Sequence, residues 1–313
     1  MKSSGSVTDP WSNRSFLRGT QYKTDANLAA RQSIYAYQHP RIDLQAKVLD
    51  LAAPGPADTI VDVGCGNGTY LAELARRGFA GRVLGVDLSL GMLTAARRRL
   101  SVLAERNRPR PGASVESSAE GTGTPGPSNA REISTPAPPA EPPAGPPMPV
   151  TLLNADATAL PLRDGVADLA LAPHMLYHVP EPADALRELR RVTRPGGRVV
   201  IVLNGADHLR QLRAAVAAAR GEDVKTMGER VTLDDGESLA RSLFPKVTRH
   251  DFVAELRVPS PGPVADYLRS MPGTSHHAVP EHLIETVVAT LPRNMEGHYV
   301  ITSHAGCLIA ERG

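Results

Sequence analysis

Three glycines and two aspartates are the residues of this sequence best suited to chemistry. Asp62, Gly64, Gly66 and Gly68 follow or end an apolar run typical of a buried strand, and Asp87 ends the next such run. Alternating glycines let a backbone turn approach a ligand closely, and carboxylates accept hydrogen bonds from ammonium and hydroxyl groups. The pattern predicts a ligand-binding turn between a strand and a helix. The alternative is a purely structural turn.

The spacing of the glycines separates this turn from two nucleotide-binding motifs. A dinucleotide fingerprint has Gly or Ala at the position that Thr69 occupies. A triphosphate-binding loop has Lys followed by Ser or Thr after its glycines, and no such pair follows the glycines here. The turn therefore lacks features that bind a pyrophosphate well. An NAD(P)-dependent oxidoreductase remains an alternative.

The segment Asp62-Val63-Gly64-Cys65-Gly66-Asn67-Gly68 resembles the first motif of the class I S-adenosylmethionine-dependent methyltransferases, an acidic residue followed by G-x-G-x-G. Asp87 matches the residue that binds both ribose hydroxyls in this family, and Asp156 of Asn154-Ala155-Asp156-Ala157 matches the acceptor for the adenine amino group. The resemblance implies S-adenosyl-L-methionine as the cofactor. It implies that the cofactor-binding residues are Asp62, Gly64, Cys65, Gly66, Asn67, Gly68, Asp87, Leu88, Met92, Asp156 and Ala157.

The run from Asp168 to Gly197 is similar to the small-molecule branch often called methyltransferase type 11. The whole resemblance spans about residues 58 to 203, apart from one low-complexity segment. It implies methyl transfer to an O-, C- or N-nucleophile of a small molecule by in-line displacement, for which the enzyme mainly aligns the reactants. A non-catalytic binding protein that keeps the cofactor site is a further alternative.

His174 and His178 follow the fourth predicted strand and are candidates for a catalytic base. They lie four residues apart, so a short helical turn would place them on one face. A general base adds about 10²–10⁴-fold to transfer to a hydroxyl or acidic carbon. The alternative is a packing role. The predicted acceptor pocket comprises Tyr22, Tyr35, His174 and Tyr177.

The residues around these histidines also bear on the acceptor. Ala172-Pro173-His174-Met175 differs from the Asn/Asp-Pro-Pro-Tyr/Phe sequence of the methyltransferases that act on amides or base amino groups. The resemblance therefore disfavours methylation of DNA bases or glutamine.

The charge balance argues against a dedicated nucleic-acid binder, because 35 basic residues against 33 acidic ones give a net charge of +2. Arg97-Arg98-Arg99 is a basic run that predicts a solvated helix face, with a patch for an anionic partner as the alternative. Cys65 and Cys307 form neither a disulfide framework nor a metal site. No stretch reaches the roughly 18 apolar residues of a membrane span. We expect a cytoplasmic protein without a metal, nucleic acid or membrane partner; the oligomeric state is open.

Strands and helices alternate from residue 58 onward, which predicts a Rossmann-like, doubly wound, mostly parallel sheet of about seven strands with helices on both faces. The predicted strands are 58–63, 82–86, 149–153, 166–172, 198–203, 247–258 and a strand or hairpin over 298–310. Two helices, one capped by Thr24 and one over 42–51, precede the first strand and predict an N-terminal helical cap.

We predict one methyltransferase domain over residues 16–313 after a disordered N-terminus of residues 1–15. Residues 107–148 contain eleven of the 28 prolines and almost no large apolar residue, so they predict a disordered insertion within this domain. A Pro-rich docking site is the alternative. Residues 204–292 follow the fifth strand and are predicted to form lid and substrate-pocket elements at the carboxyl ends of the strands.

Overall fold

The computed structural model describes residues 12–106, 148–222, 231–271 and 279–313. Within these ranges one mixed sheet is surrounded by helices. The strands are β1 (Gln38–His39), β2 (Thr59–Val63), β3 (Arg82–Asp87), β4 (Val150–Asn154), β5 (Ala167–Pro173), β6 (Thr193–Asn204), β7 (Lys246–Val258) and β8 (Tyr299–Glu311). The helices are α1 (Arg14–Phe16), α2 (Ala26–Ser33), α3 (Leu44–Ala52), α4 (Thr69–Arg76), α5 (Leu90–Arg106), α6 (Pro182–Val192), α7 (Arg210–Arg220), α8 (Leu233–Leu243), α9 (Pro261–Ser270) and α10 (Glu281–Thr290).

The strand order β1-β7-β8-β6-β5-β2-β3-β4 confirms the predicted doubly wound sheet. The five neighbouring strands β6, β5, β2, β3 and β4 are parallel to one another. β8 is antiparallel to β6 and β7, and β1 is antiparallel to β7. The chain runs from β2 outward to β4 and then returns to β5, on the other side of β2. Such a reversal opens a crevice at the carboxyl ends of the two central strands.

The sheet within the described part of the chain has eight strands, where about seven were predicted. The additional strand is β1, in which Gln38 pairs with Leu256 and His39 with Glu255 of β7. Two residues are too few to show a strand periodicity in the sequence.

Alternate side chains of β2 build the core on both faces of the sheet. Val61 and Val63 belong to a cluster that includes residues of α6 and α8. Ile60 faces the other way and packs in a cluster with Leu71 and Leu74 of α4 and with residues of α3. Residues 199–203 of β6 are at most 1% exposed, as expected of a strand covered on both faces.

β7 and β8 form a ribbon that projects beyond the carboxyl end of β6. Residues 305–311 of β8 pair with β6 and β7, whereas residues 299–304 pair only with β7. Six residues of strand correspond to about 20 Å. The projecting part carries a third core cluster, which includes Leu212 of α7, Leu268 of α9 and Ile284 of α10. The predicted lid region 204–292 is thus divided: β7 and α8 belong to the sheet and its core, whereas α7, α9 and α10 stand on the ribbon.

Two predicted helix ends differ in the structure. α2 begins at Ala26 after Asp25, not directly after Thr24. The sequence also predicts a helix over 182–194 that stops at Pro195-Gly196-Gly197. α6 instead ends at Val192, and these three residues lie within β6. The backbone explains the second difference, because Gly196 N–H donates to the carbonyl of Arg312 and Arg312 N–H donates to that of Gly197.

The two segments predicted to be disordered lie mostly outside the described residues. Of residues 1–15, only 12–15 are described, and they lead into α1, whose cap Asn13 accepts a hydrogen bond from Phe16 N–H at 3.0 Å. Of the predicted insertion 107–148, only Met148 is described, and it packs against the core cluster of α3 and α4.

Candidate functional site

A cavity of 1120 Å³ lies at the carboxyl ends of the parallel strands. Its walls comprise the residues that follow β2, β3, β4 and β5, together with parts of α7, α9 and the segment before α3. Pockets for one small ligand measure about 300–1,000 Å³. The cavity is therefore large enough for two small molecules side by side.

Asp87 fixes the glycine turn at one end of this cavity. Its Oδ2 accepts Gly66 N–H at 2.8 Å, and its Oδ1 accepts Ser89 N–H at 2.8 Å. Burial raises the pKa of Asp87, against the effect of these two N–H donors. The N–H groups of Gly64 and Cys65 donate to the carbonyl of Val86 at 2.7 and 3.0 Å. Together with those of Gly66 and Ser89, four N–H groups in this region already have protein acceptors.

The three glycines of the turn have different surroundings, although all three have a positive φ. A Cβ on Gly64 would lie 2.6 Å from Cβ of Met175, and one on Gly68 would lie 3.0 Å from Cβ of Ala96. A Cβ on Gly66 would meet only Leu28 Cδ2 at 3.6 Å within side-chain contact range. Gly64 and Gly66 line the cavity, whereas Gly68 lies behind the turn and is not part of the wall.

Asp62 is fully buried just before this turn, and neither of its carboxylate oxygens has a hydrogen-bond partner among the described residues. Burial, and then the charge of Asp87, raise the pKa of Asp62 to about 8. The hydroxyl of Tyr70, whose side chain lines the cavity, is also buried without a partner in the described part of the chain. Buried polar groups without partners are rare in folded proteins. Tyr70 lines the cavity, whereas Asp62, a predicted cofactor residue, is not part of its wall. Among the residues that the structure describes, both groups lack a partner that donates a hydrogen bond or carries a positive charge.

The residues predicted to bind adenine also line the cavity. Leu88, Met92, Asp156 and Ala157 all line the cavity, and Met92 is 2% exposed. Asp156 already has protein partners, because its Oδ1 accepts Thr158 N–H at 2.9 Å and its Oδ2 pairs with Arg14 Nε at 2.8 Å. The remaining predicted cofactor residues, Cys65 and Asn67, also line the wall.

His174 and His178 both reach the cavity. His174 has a φ of 52° and lies directly after β5, and burial lowers its pKa to about 4. Its ring is therefore neutral at pH 7. Nε2 of His178 lies 2.8 Å from the Tyr22 hydroxyl, which also accepts Nη2 of Arg31 at 3.1 Å. Tyr177 stacks edge-on against His178 with ring centroids 4.5 Å apart, so the structure brings the predicted acceptor-pocket residues of this wall together.

His208 is a cavity residue that the sequence reasoning missed. Its Nδ1 accepts His304 N–H at 3.1 Å, which leaves its Nε2–H to donate to the hydroxyl of Tyr35 at 3.0 Å. Burial lowers its pKa to about 3, and the positive charges of Arg213 and His304 act in the same direction. The signal that was available is the polar run Asn204 to His208 at the carboxyl end of β6.

His304 of β8 links the middle of β7 to the segment after β6 beside this site. Its Nδ1 lies 2.5 Å from Asp207 and its Nε2 lies 2.8 Å from Asp251. These two carboxylates raise its pKa, against the effect of burial. In the described ranges, no group of three or more His, Cys, Asp or Glu side chains is suited to a metal ion. No helix there combines the length and apolar character that crossing a membrane requires.

The fold and the cavity define the class of the protein: an open α/β sheet with a ligand site where the strand order reverses. A sequence model of the methyltransferase domain family matches residues 35–243. The chain belongs to this methyltransferase domain family.

The chain is also similar to individual proteins in sequence and to a solved structure in fold. An uncharacterized 37.1 kDa protein of transposon TN4556 from Streptomyces fradiae is 34% identical over 155 residues, covering 49% of this chain and 32% of the relative. A demethylmenaquinone methyltransferase from Clavibacter sepedonicus is 32% identical over 149 residues, covering 48% and 42%. The chain thus spans less than half the length of these relatives. A putative methyltransferase from Bacillus halodurans has the same fold, with a TM-score of 0.51 at 15% identity, covering 87% of this chain and 99% of that one.

Proposed function

We propose that the protein transfers a methyl group from S-adenosyl-L-methionine to a small-molecule acceptor in the cytoplasm. The observation that carries the proposal is the use of the N–H groups in the glycine turn. Those of Gly64 and Cys65 bond Val86, that of Gly66 bonds Asp87, and that of Gly68 bonds Cys65. A turn that binds pyrophosphate offers such groups to the ligand. Here they have protein acceptors and two buried carboxylates stand beside them, which favours a cationic ligand over a dinucleotide.

The residues present fit this cofactor. The buried, partnerless carboxylate of Asp62 suits the ammonium of the methionine portion, and Asp87 has lone pairs left for the ribose hydroxyls. Leu88 and Met92 provide apolar contacts for the adenine, and Asp156 with Ala157 provides its polar edge. Because Gly66 has no side chain, the ligand can approach the backbone of the turn closely. When bound, the sulfonium supplies an electrophilic methyl carbon.

The chain itself aligns the acceptor and manages its proton. Well-oriented reactants gain effective molarities of about 10⁵–10⁸ M, so alignment alone lowers much of the barrier. His174 lies at the end of β5, between the glycine turn and α7, and is neutral because burial lowers its pKa to about 4. We assign it the role of base for an acceptor that loses a proton. His178, held by Tyr22, orients the acceptor beside it.

A small-molecule acceptor is supported by the size of the cavity and by the name of the relative from Clavibacter sepedonicus, which indicates such a substrate for that protein. An oxidoreductase that uses NAD(P) is the second candidate, and it is disfavoured by Thr69 and by the occupied N–H groups of the turn. A binding protein without turnover is the third.

Titration calorimetry with S-adenosylmethionine and with NADH tests the proposal. We expect S-adenosylmethionine to bind and NADH to give no signal. Asp87→Ala removes a charged acceptor, so we expect it to weaken S-adenosylmethionine roughly 10- to 100-fold. Asp184→Ala, an exposed aspartate far from the cavity, is the control and keeps the affinity. Binding of NADH alone contradicts the proposal, and binding without turnover across an acceptor screen favours the third candidate.

A further inference from the structure

The end of the cavity beyond the predicted cofactor residues is formed largely by α7 and the residue that precedes it. The cavity-lining residues recur at helical spacing and so form one stripe: Leu209, Leu212, Arg213, Val216 and Arg220. This stripe combines apolar side chains with two guanidinium groups. Its apolar part continues in Met271 and Val279.

The guanidinium group of Arg213 is only partly satisfied by hydrogen bonds. Its Nη2 donates to the carbonyl of Ala206, while its Nε is buried and has no acceptor among the described residues. Its positive charge acts on the cavity, because it helps to lower the pKa of His208. A buried donor without an acceptor costs free energy unless a ligand changes its surroundings.

The charges on this part of the wall are unbalanced. Across the ranges that the structure describes, neither Arg213 nor Arg220 forms an ion pair with a carboxylate, and the same is true of Arg18 on the facing side. The cavity carboxylates Asp87 and Asp156 lie at the predicted cofactor end. Glu222, just after α7, is exposed to solvent and also lines the cavity, so this end has one carboxylate beside the guanidinium groups of Arg213 and Arg220. An anion would therefore meet an excess of positive charge beside an apolar surface.

We propose that the methyl acceptor is an amphipathic anion, an aromatic or aliphatic body with one acidic group that Arg213 binds. The inference rests on the proposed function, because it assigns the acceptor of that reaction. Arginine suits this role because its planar group binds carboxylates and related anions through paired hydrogen bonds. The apolar stripe of α7 and the ring of Tyr267 contact the body of the molecule. Arg220, farther along the same stripe, adds to the positive field.

Two fluorescent probes that share one aromatic body test this inference. Anilinonaphthalene sulfonate carries an acidic group, and N-phenylnaphthylamine is its neutral counterpart. We expect the protein to bind the sulfonate about tenfold more tightly than the neutral probe. Arg213→Met removes most of this preference and leaves the neutral probe's affinity unchanged. Arg220→Met reduces the preference by a smaller factor.

Arg210→Met is the matched control, because it removes the same charge from an exposed position of the same helix outside the cavity wall. It keeps the preference for the sulfonate. Equal affinity of the wild type for both probes, or an unchanged preference in both Arg213→Met and Arg220→Met, overturns the inference. Circular dichroism verifies folding, and if Arg213→Met unfolds, Arg220→Met decides the outcome. Calorimetry with S-adenosylmethionine tests the proposed function separately. A protein that binds S-adenosylmethionine without preferring the sulfonate contradicts only this inference, and a protein that does not bind S-adenosylmethionine contradicts the proposed function.

Discussion

Gly64, Gly66 and Gly68 belong to one turn but serve three purposes. Gly64 makes room for Met175, Gly68 lets α4 approach Ala96 of α5, and Gly66 faces the cavity. The motif in the sequence describes a single cradle. In the structure, Gly64 and Gly68 lie against neighbouring side chains, whereas Gly66 has open space beside it.

Alanine substitutions separate these purposes. A residue with a side chain at positive φ costs about 1–2 kcal/mol, and Gly78→Ala is the control for this cost, because nothing lies within 4 Å of its added Cβ. We expect Gly66→Ala to lose stability like the control and also to weaken S-adenosylmethionine. Gly64→Ala and Gly68→Ala lose more stability than the control. Thermal melts and calorimetry measure both effects; a Gly68→Ala protein as stable as Gly78→Ala contradicts the prediction.

The sequence predicted those site residues whose proximity depends on their local spacing in the chain. Asp62, the glycines and Asp87 lie within one strand-helix-strand unit, so their proximity follows from the chain itself. His208 could not be found in this way. Its partners are Tyr35 and His304, which are 173 and 96 residues away along the chain, and only the folded ribbon brings them together.

Residues 12–42, the N-terminal cap, bond to the residues after three different strands. Arg14 pairs with Asp156 after β4, the backbone carbonyl of Tyr22 accepts Ser89 Oγ after β3, and the Tyr22 hydroxyl meets His178 after β5. These contacts place the cap over the predicted cofactor and acceptor residues at once. Opening the cap therefore disturbs all three segments.

Tyr22→Phe tests the coupling of the cap to the site. It removes the hydrogen bonds to His178 and Arg31, so we expect a loss of about 0.5–1.5 kcal/mol and faster amide hydrogen exchange over residues 12–37. Tyr37→Phe is the matched control, since Tyr37 packs in the same cap against the helix cluster on the ribbon. Hydrogen-exchange mass spectrometry measures the difference. Equal exchange rates in the two variants count against the coupling.

Most helices and inner strands were predicted from periodicity, because burial on one or both faces leaves a local pattern. The length of β8 was not. The sequence allowed a strand or a hairpin over 298–310, and the structure has one strand from Tyr299 to Glu311. Its length depends on pairing with β7 along its whole course, and such distant pairing leaves no local signal.

The buried titratable groups have opposing effects on how the stability of the protein depends on pH. The lowered pKa values of His174 and His208 give stability that is present above about pH 6.5 and is lost as the pH falls toward 4. The raised pKa of Asp62 acts in the other direction: its stability is present below about pH 4 and is lost as the pH rises through 8. The raised pKa of Asp87 adds to the effect of Asp62 from about pH 4 upward. Just below pH 6.5 the two histidines outweigh Asp62, and above it Asp62 acts with His304, whose pKa is also raised.

We therefore expect the ligand-free protein to be most stable near pH 6.5, with a loss of up to about 1.4 kcal/mol per pH unit below it and a steeper loss just above it, where Asp62 and His304 act together. Guanidinium unfolding at pH 5, 6.5 and 8 measures the curve. Asp62→Asn flattens the branch above pH 6.5, and His208→Gln flattens the branch below it. Asp184→Asn, an exposed substitution of the same kind, leaves both branches in place. Stability that rises steadily from pH 6.5 to 8 refutes the role given to Asp62.

The path of the chain around β4 has a consequence for how the protein can change over evolution. α5 starts at the cavity end of β3 and ends at Arg106, and β4 begins at Val150 opposite Val83, near the start of β3. Both attachment points of residues 107–147 are thus at the end of the sheet away from the cavity, beside an edge strand that has a single neighbour. Insertions and deletions between them are spared from selection on the cavity walls. This connection is where lineages are free to diverge in length while they keep the same chemistry.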